Sequence, residues 1–308
     1  MRIVFFGTAN VALPILEELR KKHEIAAVVT TPDVKIGRKQ LLQESPVSAL
    51  ATDLKLLLHK PEKIRNNPEF LEILKGMGAD IFVVVAYGKI LPLEIINLPR
   101  HKTVNVHFSV LPKYRGASPI QAALLNGDAQ TGTSIFVLDE QVDHGPLIAQ
   151  EIADIEPFDN FFTLSDKLAK LSAKIINGAL EDYASGRVTP LPQPEHGASQ
   201  SGIILKKHGQ IDWHKTAQEI YNQFRAFYLW PGIWTTWNGK ILKITECAPQ
   251  DRAEGGQAEP GSVTEGLLAA CGQGTWLKIN RLQLEGKSEV SAQEFLNGYR
   301  DFVGSILN

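Results

Sequence analysis

The sequence predicts an α/β protein, built on a mostly parallel sheet and followed by a smaller β-rich domain. Three observations carry this. Short β-branched runs alternate with helix-period segments from Arg2 to Tyr183. The first strand, helix and second strand all fall between Arg2 and Thr30, which implies a right-handed βαβ unit. Beyond a stretch rich in Pro, Ser and Gly at Gly186–Gly202, the texture changes to short strands punctuated by glycines.

Taken in order, Arg2–Phe6 is apolar and ends at Gly7-Thr8, as a buried strand should. Leu13, Ile15, Leu16 and Leu19 recur at helical spacing, with Pro14 tolerable only in a first turn. Ile25–Thr30 is the second strand, Phe70–Lys75 a helix, and Asp80–Ala86 and Thr103–Val106 further strands. A helix opens at Ile120–Leu125, and Thr133–Leu138 and Leu147–Ile152 are two more strands. Leu164–Tyr183 is a long amphipathic helix rich in Ala, Leu and Lys. In the second half, Thr216–Phe227 is helical, and short strands follow between Asn238-Gly239, Gly255-Gly256, Gly261 and Gly272. Among small β folds, a barrel of the oligonucleotide-binding type is one candidate.

The 308 residues suit two domains, and 44% apolar content suits an ordinary core. A formal charge of -2 argues against a generic polyanion binder, so any RNA partner must meet local basic clusters. Cys247 and Cys271 lie far apart with no CxxC, which speaks against a disulfide framework or structural zinc. The opening MRIVFFGT is too short an apolar run for a signal peptide or a span, and the chain is read as cytoplasmic.

The most informative segment runs from Val104 to Gln121, VNVHFSVLPKYRGASPIQ. Val104 and Val106 face one side of a strand, so Asn105 and His107 share the other. They stand at its C-terminal end, where open parallel sheets bind ligands. Taken singly, each reads as a residue satisfying local backbone. Together, beside the Ser109–Pro112 turn, they form a candidate site. A second polar cluster, LDEQVDHGP at 138–146, places Asp143 just before a Gly-Pro turn between two apolar strands.

This pattern resembles the folate-dependent formyltransferases, whose signature Asn, His two residues on, and Asp of a later turn fall on Asn105, His107 and Asp143. The resemblance spans nearly the whole chain: FFGT at 5–8, VAYGKILP at 85–92, IDWHKTAQEI at 211–220, RAFYLWPG at 225–232 and LNGYR at 296–300. The branch acting on methionyl-tRNA is the most similar. The resemblance implies a Rossmann-like formyltransferase domain over 1–189, a linker over 190–205 and a C-terminal β-barrel, OB-like, over 206–308 that contributes to tRNA binding. It implies transfer of a formyl group from 10-formyltetrahydrofolate to the amino group of initiator methionyl-tRNA, by a metal-free monomer.

The resemblance sets the folate against Tyr87, Gly88, Lys89, Ile90 and Leu91 and against Ser109, Val110, Leu111 and Pro112. Its tRNA contacts fall on Lys35, Arg38 and Lys39 in an early loop and on Lys206 and Lys207. Some positions depart from the family pattern: Gln141 stands for a glycine, His144 for a threonine, and Phe108 for a small residue. A formyltransferase on an amino sugar nucleotide, or a 10-formyltetrahydrofolate hydrolase, would carry the same three polar residues. The insertion between Thr31 and Pro46 and the LNGYR ending favour tRNA. A non-catalytic RNA-binding protein has no use for the triad, and a dehydrogenase would need a GxGxxG fingerprint, which is absent.

In acyl transfer to an amine, negative charge grows on the carbonyl oxygen and one proton must be managed. Asn105 can donate to that oxygen, as can a protonated His107, which a nearby Asp143 carboxylate would favour. Which of Asp143 and His107 moves the proton stays open at this level. Ser109 has no base beyond His107, so no acyl-enzyme is expected.

Overall fold

The computed structural model describes residues 1–36, 40–250 and 258–308. By its internal contacts the chain divides into two compact units. One comprises residues 1–119, 130–154 and 164–201; the other comprises 120–129, 155–163 and 202–308.

The first unit opens with strand β1 (Arg2–Gly7), helix α1 (Leu13–Lys22) and strand β2 (Glu24–Val29). Ile15, Leu16 and Leu19 of α1 are buried, and Pro14 lies in the first turn, where its missing N–H has no partner to lose. A small hairpin follows, β3 (Val34–Ile36) with β4 (Leu41–Gln43). Helix α2 (Pro46–Asp53) is capped by the Ser45 hydroxyl, which accepts from Ser48 N at 3.0 Å. Then come strand β5 (Leu58–His59), helix α3 (Pro68–Gly76), strand β6 (Ile81–Val85), the single turn α4 (Leu93–Ile96) and strand β7 (Thr103–His107). After the two-residue strand β8 (Arg115–Gly116) come helix α5 (Pro119–Leu125), which from residue 120 belongs to the other unit, strands β9 (Gln130–Val137) and β10 (Leu147–Asp154), and helix α6 (Phe161–Ala184), which belongs to this unit from residue 164 on.

The main sheet has the order β10-β9-β7-β6-β1-β2-β5. From β7 to β5 it is parallel, and β9 and β10 run antiparallel at one edge. This is the Rossmann-like, mostly parallel sheet that the alternating pattern implies. Strands β1 and β6 are buried on both faces from Ile3 to Phe6 and from Ile81 to Val85, as central parallel strands must be. On α6, Leu164, Leu168, Ser172, Ile176 and Leu180 recur every fourth residue and are buried, giving the helix one core-facing stripe. The order in which the strands are added reverses about β1: β2 and β5 lie on one side, β6 and β7 on the other. The C-terminal ends of β1 and β6 therefore border a topological switch point, where such sheets bind ligands, and β7 lies next to β6.

Residues 190–201 are hydrogen-bonded to this unit. Leu191 bridges Leu147, and β11 (Gln200–Ser201) pairs in parallel with β8. The Pro- and Ser-rich composition marks an irregular backbone here, yet that backbone still finds partners.

The second unit carries helix α7 (Ala217–Ala226), strands β12 (Ile233–Trp237), β13 (Lys240–Gln250), β14 (Val263–Thr264), β15 (Leu268–Ala270), β16 (Trp276–Leu284) and β17 (Val290–Ser291), and helix α8 (Ala292–Gly298). Both helices begin with a capping box, Thr216 with Glu219 and Ser291 with Glu294. The antiparallel sheet runs β12-β13-β16-β15-β14. The last residues close it: Thr236 on β12 exchanges backbone bonds with Asn308, while Leu307 N and Gly304 N donate to Gly261 O and Val263 O beside β14. Both edges are thereby satisfied, which makes the sheet a small barrel. Cys247 and Cys271 are free and buried in it, and burial pushes the Cys271 thiol up to about 12. Among the described residues no helix is long and apolar enough to cross a membrane.

Candidate active site

Strand β7 places Asn105 and His107 two residues apart on one face, and the 138–146 loop brings Asp143 to both. Asn105 Nδ2 donates to Asp143 Oδ1 at 3.4 Å, and His107 Nδ1 lies 3.5 Å from Asp143 Oδ2. The same Oδ2 accepts the backbone N–H of Gly116 at 2.8 Å. Three side chains singled out from sequence, the first and the last 38 positions apart, thus converge on one point.

The protonation of His107 follows from its partners. Nε2 lies 2.9 Å from the carbonyl oxygen of Tyr114, which can only accept, so Nε2 carries a hydrogen. In the neutral ring, Nδ1 then offers a lone pair toward the carboxylate. Burial holds the imidazole below the ordinary histidine value; the Asp143 charge and the Tyr114 carbonyl pull the other way without offsetting it. A resting imidazolium, expected from the neighbouring carboxylate alone, is therefore disfavoured: the side chain is only 6% exposed and desolvation dominates. The resting site offers Nδ1 as a base.

Backbone geometry explains the spacing. Asp143 itself has φ 51, a left-handed conformation that Asp tolerates better than most residues. A Cβ at Gly145 would stand 1.8 Å from Val137 O, so only glycine lets the loop fold back on β9. Gly116 has φ 113, and a Cβ there would meet Ser201 O at 2.3 Å.

The family model described as formyl transferase matches residues 1–180, and its C-terminal domain matches residues 203–300. The chain belongs to the formyl transferase family. The methionyl-tRNA formyltransferase of Caldicellulosiruptor saccharolyticus is 42% identical over 314 residues, covering 100% of each chain. That of Myxococcus xanthus is 40% identical over 308 residues, covering 99% of this chain and 97% of its own. Among solved structures, WlaRD, a sugar 3N-formyl transferase determined with dTDP and 5-N-formyl-THF, matches with a TM-score of 0.66 at 22% identity, covering 94% of this chain and 99% of its own. At that identity the likeness speaks for the fold alone.

The turn that this formyl transferase places after β6 divides the residues assigned to folate. Gly88 has φ 79 with open space where a Cβ would lie, and Ile90 is 64% exposed. Tyr87 is a core residue, edge-on to Phe6, with its hydroxyl buried and unpartnered. The Lys89 ammonium is bound to the carbonyls of Pro61 and Glu62, both at 2.9 Å. Neither side chain reaches outward, because each anchors the turn, which Thr8 Oγ1 also holds through Tyr87 O at 2.9 Å. In the second stretch Ser109 and Leu111 are buried, whereas Val110 and Pro112 are partly exposed. Ser134 Oγ accepts from Leu111 N at 3.0 Å and donates to Ser109 O at 2.6 Å, and Gln150 Nε2 donates to Leu111 O at 2.8 Å.

Of the basic residues, Lys35 is exposed on β3, and Lys206 and Lys207 are exposed in the turn Lys206–Gly209. Arg38 and Lys39 lie outside the described residues. The departures from the family pattern are accommodated. Phe108 is buried at 6% exposure, and His144 Nδ1 donates to Asp139 Oδ2 at 2.8 Å while Nε2 lies 3.3 Å from Glu195 Oε1. Gln141 is exposed, its backbone N–H capped by Asp139 Oδ1 at 2.9 Å. Gln193 escaped the sequence reading altogether: it lies 50 residues from Asp143, in a stretch whose composition suggests a linker.

Proposed function

We propose that this protein transfers the formyl group of 10-formyltetrahydrofolate to the α-amino group of initiator methionyl-tRNA, giving N-formylmethionyl-tRNA. The observation that carries the reading is the convergence of Asn105, His107 and Asp143 at the ligand-binding end of β7. Similarity over full length to proteins that formylate methionyl-tRNA supports the choice of acceptor.

The amine attacks the formyl carbon, and the carbonyl oxygen takes on negative charge. Asn105 has a second amide N–H beyond the one facing Asp143 and donates it to that oxygen. His107 Nδ1, unprotonated at rest, accepts the proton that the attacking amine must lose. The imidazolium so formed is stabilised by the Asp143 carboxylate, 3.5 Å from that same nitrogen. When the tetrahedral intermediate collapses, His107 returns that proton to the departing folate nitrogen, and the site regains its resting state. One C–N bond forms, one breaks, and one proton makes the circuit.

The folate lies against the backbone of Gly88–Leu91 and of Val110–Pro112, with Tyr87, Lys89 and Ser109 shaping those turns from beneath. Lys35, Arg38, Lys39, Lys206 and Lys207 meet tRNA phosphates. The catalytic portion spans 1–189 and the tRNA-contacting barrel 206–308, joined by 190–205, and the protein acts as a cytoplasmic monomer. Incubation with 10-formyltetrahydrofolate and methionyl-tRNA tests this: the methionine amine should become blocked. Formylation of an amino sugar nucleotide in its place, or free formate without a blocked amine, would overturn the assignment.

A further inference from the structure

The Asp143 carboxylate is aimed by bonds that lie outside the three reacting side chains. Gln193 is 8% exposed, and its Nε2 donates to the carbonyls of both Asp143 and Gly145, each at 2.9 Å. Those two bonds straddle His144 and clamp the turn on either side of it. Which end of the Gln193 amide faces the turn is itself decided. Arg115 Nε donates to Gln193 Oε1 at 3.1 Å, and a guanidinium can only donate, so the oxygen must face Arg115 and the NH2 the carbonyls. Arg115 is 5% exposed, and its charge is met by Glu195, with NH2 and Oε1 3.1 Å apart. Next to Arg115 in the chain, Gly116 N–H holds the carboxylate itself at 2.8 Å. Residues 115 and 116 therefore fix Asp143 twice, once through its side chain and once, by way of Gln193, through its backbone.

We propose that Gln193 is a positioning residue for formyl transfer: it touches no reacting atom and sets the distance between Asp143 and His107. The proposal rests on the reaction assigned above. A side chain held within a fraction of an ångström by buried partners matters to rate because small displacements at a reacting centre are costly. Without the amide, the 143–145 turn keeps two unsatisfied carbonyls and swings toward water, taking the carboxylate from the imidazole.

Two variants test this, Gln193→Ala and Gln193→Met, the second keeping side-chain bulk while removing the amide. Both should lower kcat about 10- to 100-fold while leaving the Michaelis constants for folate and methionyl-tRNA unchanged. Independently of activity, the His107 ring signal followed by NMR against pH, assigned through a His107→Asn variant, should move its midpoint to lower pH. The Asp143 charge is the larger of the two influences that raise it, and that influence weakens with distance. An unmoved His107 midpoint in a folded variant overturns the proposal, as does wild-type kcat. Loss of the cooperative melt in both variants also overturns it, because Gln193 would then maintain the fold. If wild-type protein formylates nothing, the reaction assignment fails, and the NMR midpoint still decides whether Gln193 holds the pair together.

Discussion

Replacing Asn105 with Ala separates the contribution of this side chain to turnover from its contribution to folding. Its side-chain bond to Asp143 Oδ1 is 3.4 Å long, near the outer limit for an N–H···O bond. A well-formed bond to a charged group is worth about 1.5–3 kcal/mol; at this length about 1 kcal/mol or less is at stake. In a protein of this size that lowers the melting temperature by only about 2–4 °C. Turnover should respond quite differently. In the proposed mechanism the amide's second N–H donates to the oxygen where charge grows, and removing one such donor typically costs about 10²–10³ in kcat, or about 2.7–4 kcal/mol. The assay is single-turnover formylation of methionyl-tRNA with saturating folate, beside a circular dichroism melt of the same preparation. A variant that melts normally and turns over within about threefold of wild type would refute the placement of Asn105 at the oxyanion, whose expected cost is far larger.

The pH dependence follows from the depressed His107 value. With Nδ1 acting as a base, kcat/KM should rise with pH through a midpoint below 6.5, and Asp143→Asn should move that midpoint lower still while reducing the rate. A limb centred above 6.5 would contradict the neutral resting imidazole. The same shift affects stability: the unfolded chain binds a proton at 6.5 and the folded one only at lower pH, so this contribution is intact above 6.5 and is lost as pH falls toward the folded value. Gly145→Ala forces a methyl group to within 1.8 Å of Val137 O; it should cost about 1–3 kcal/mol, read as a lowered denaturant midpoint with reduced activity, and an unchanged midpoint would show that the loop yields freely. Neutralising Lys206 and Lys207 together should weaken tRNA binding and flatten its salt dependence by about 0.7–0.9 log units per lost phosphate contact, leaving folate affinity alone; an unchanged slope excludes that turn.

The strand-helix alternation was legible because the unbroken burial of β1 and β6, and the fourfold stripe on α6, are written in apolar periodicity. Asn105 and His107 were legible for the same reason: alternation along a strand fixes which residues share a face. Strand β5 and the β3–β4 hairpin were not, since elements of two or three residues carry too little pattern to separate from loop. The antiparallel placement of β9 and β10 also escaped, because apolar runs look alike in either direction.

What the sequence determined by itself was the order of elements, the face on which the polar pair stands, and the Asp-bearing turn that accompanies it. Only the tertiary structure decided the protonation of His107, since desolvation depends on everything packed around the ring and appears in no local pattern. It alone decided which of the folate-assigned side chains turn outward, burying Tyr87 and tying Lys89 to Pro61 and Glu62. It alone brought Gln193 to Asp143. A hydrogen bond spanning 50 residues leaves no trace in spacing, because proximity there is set by the path of the backbone through the whole unit.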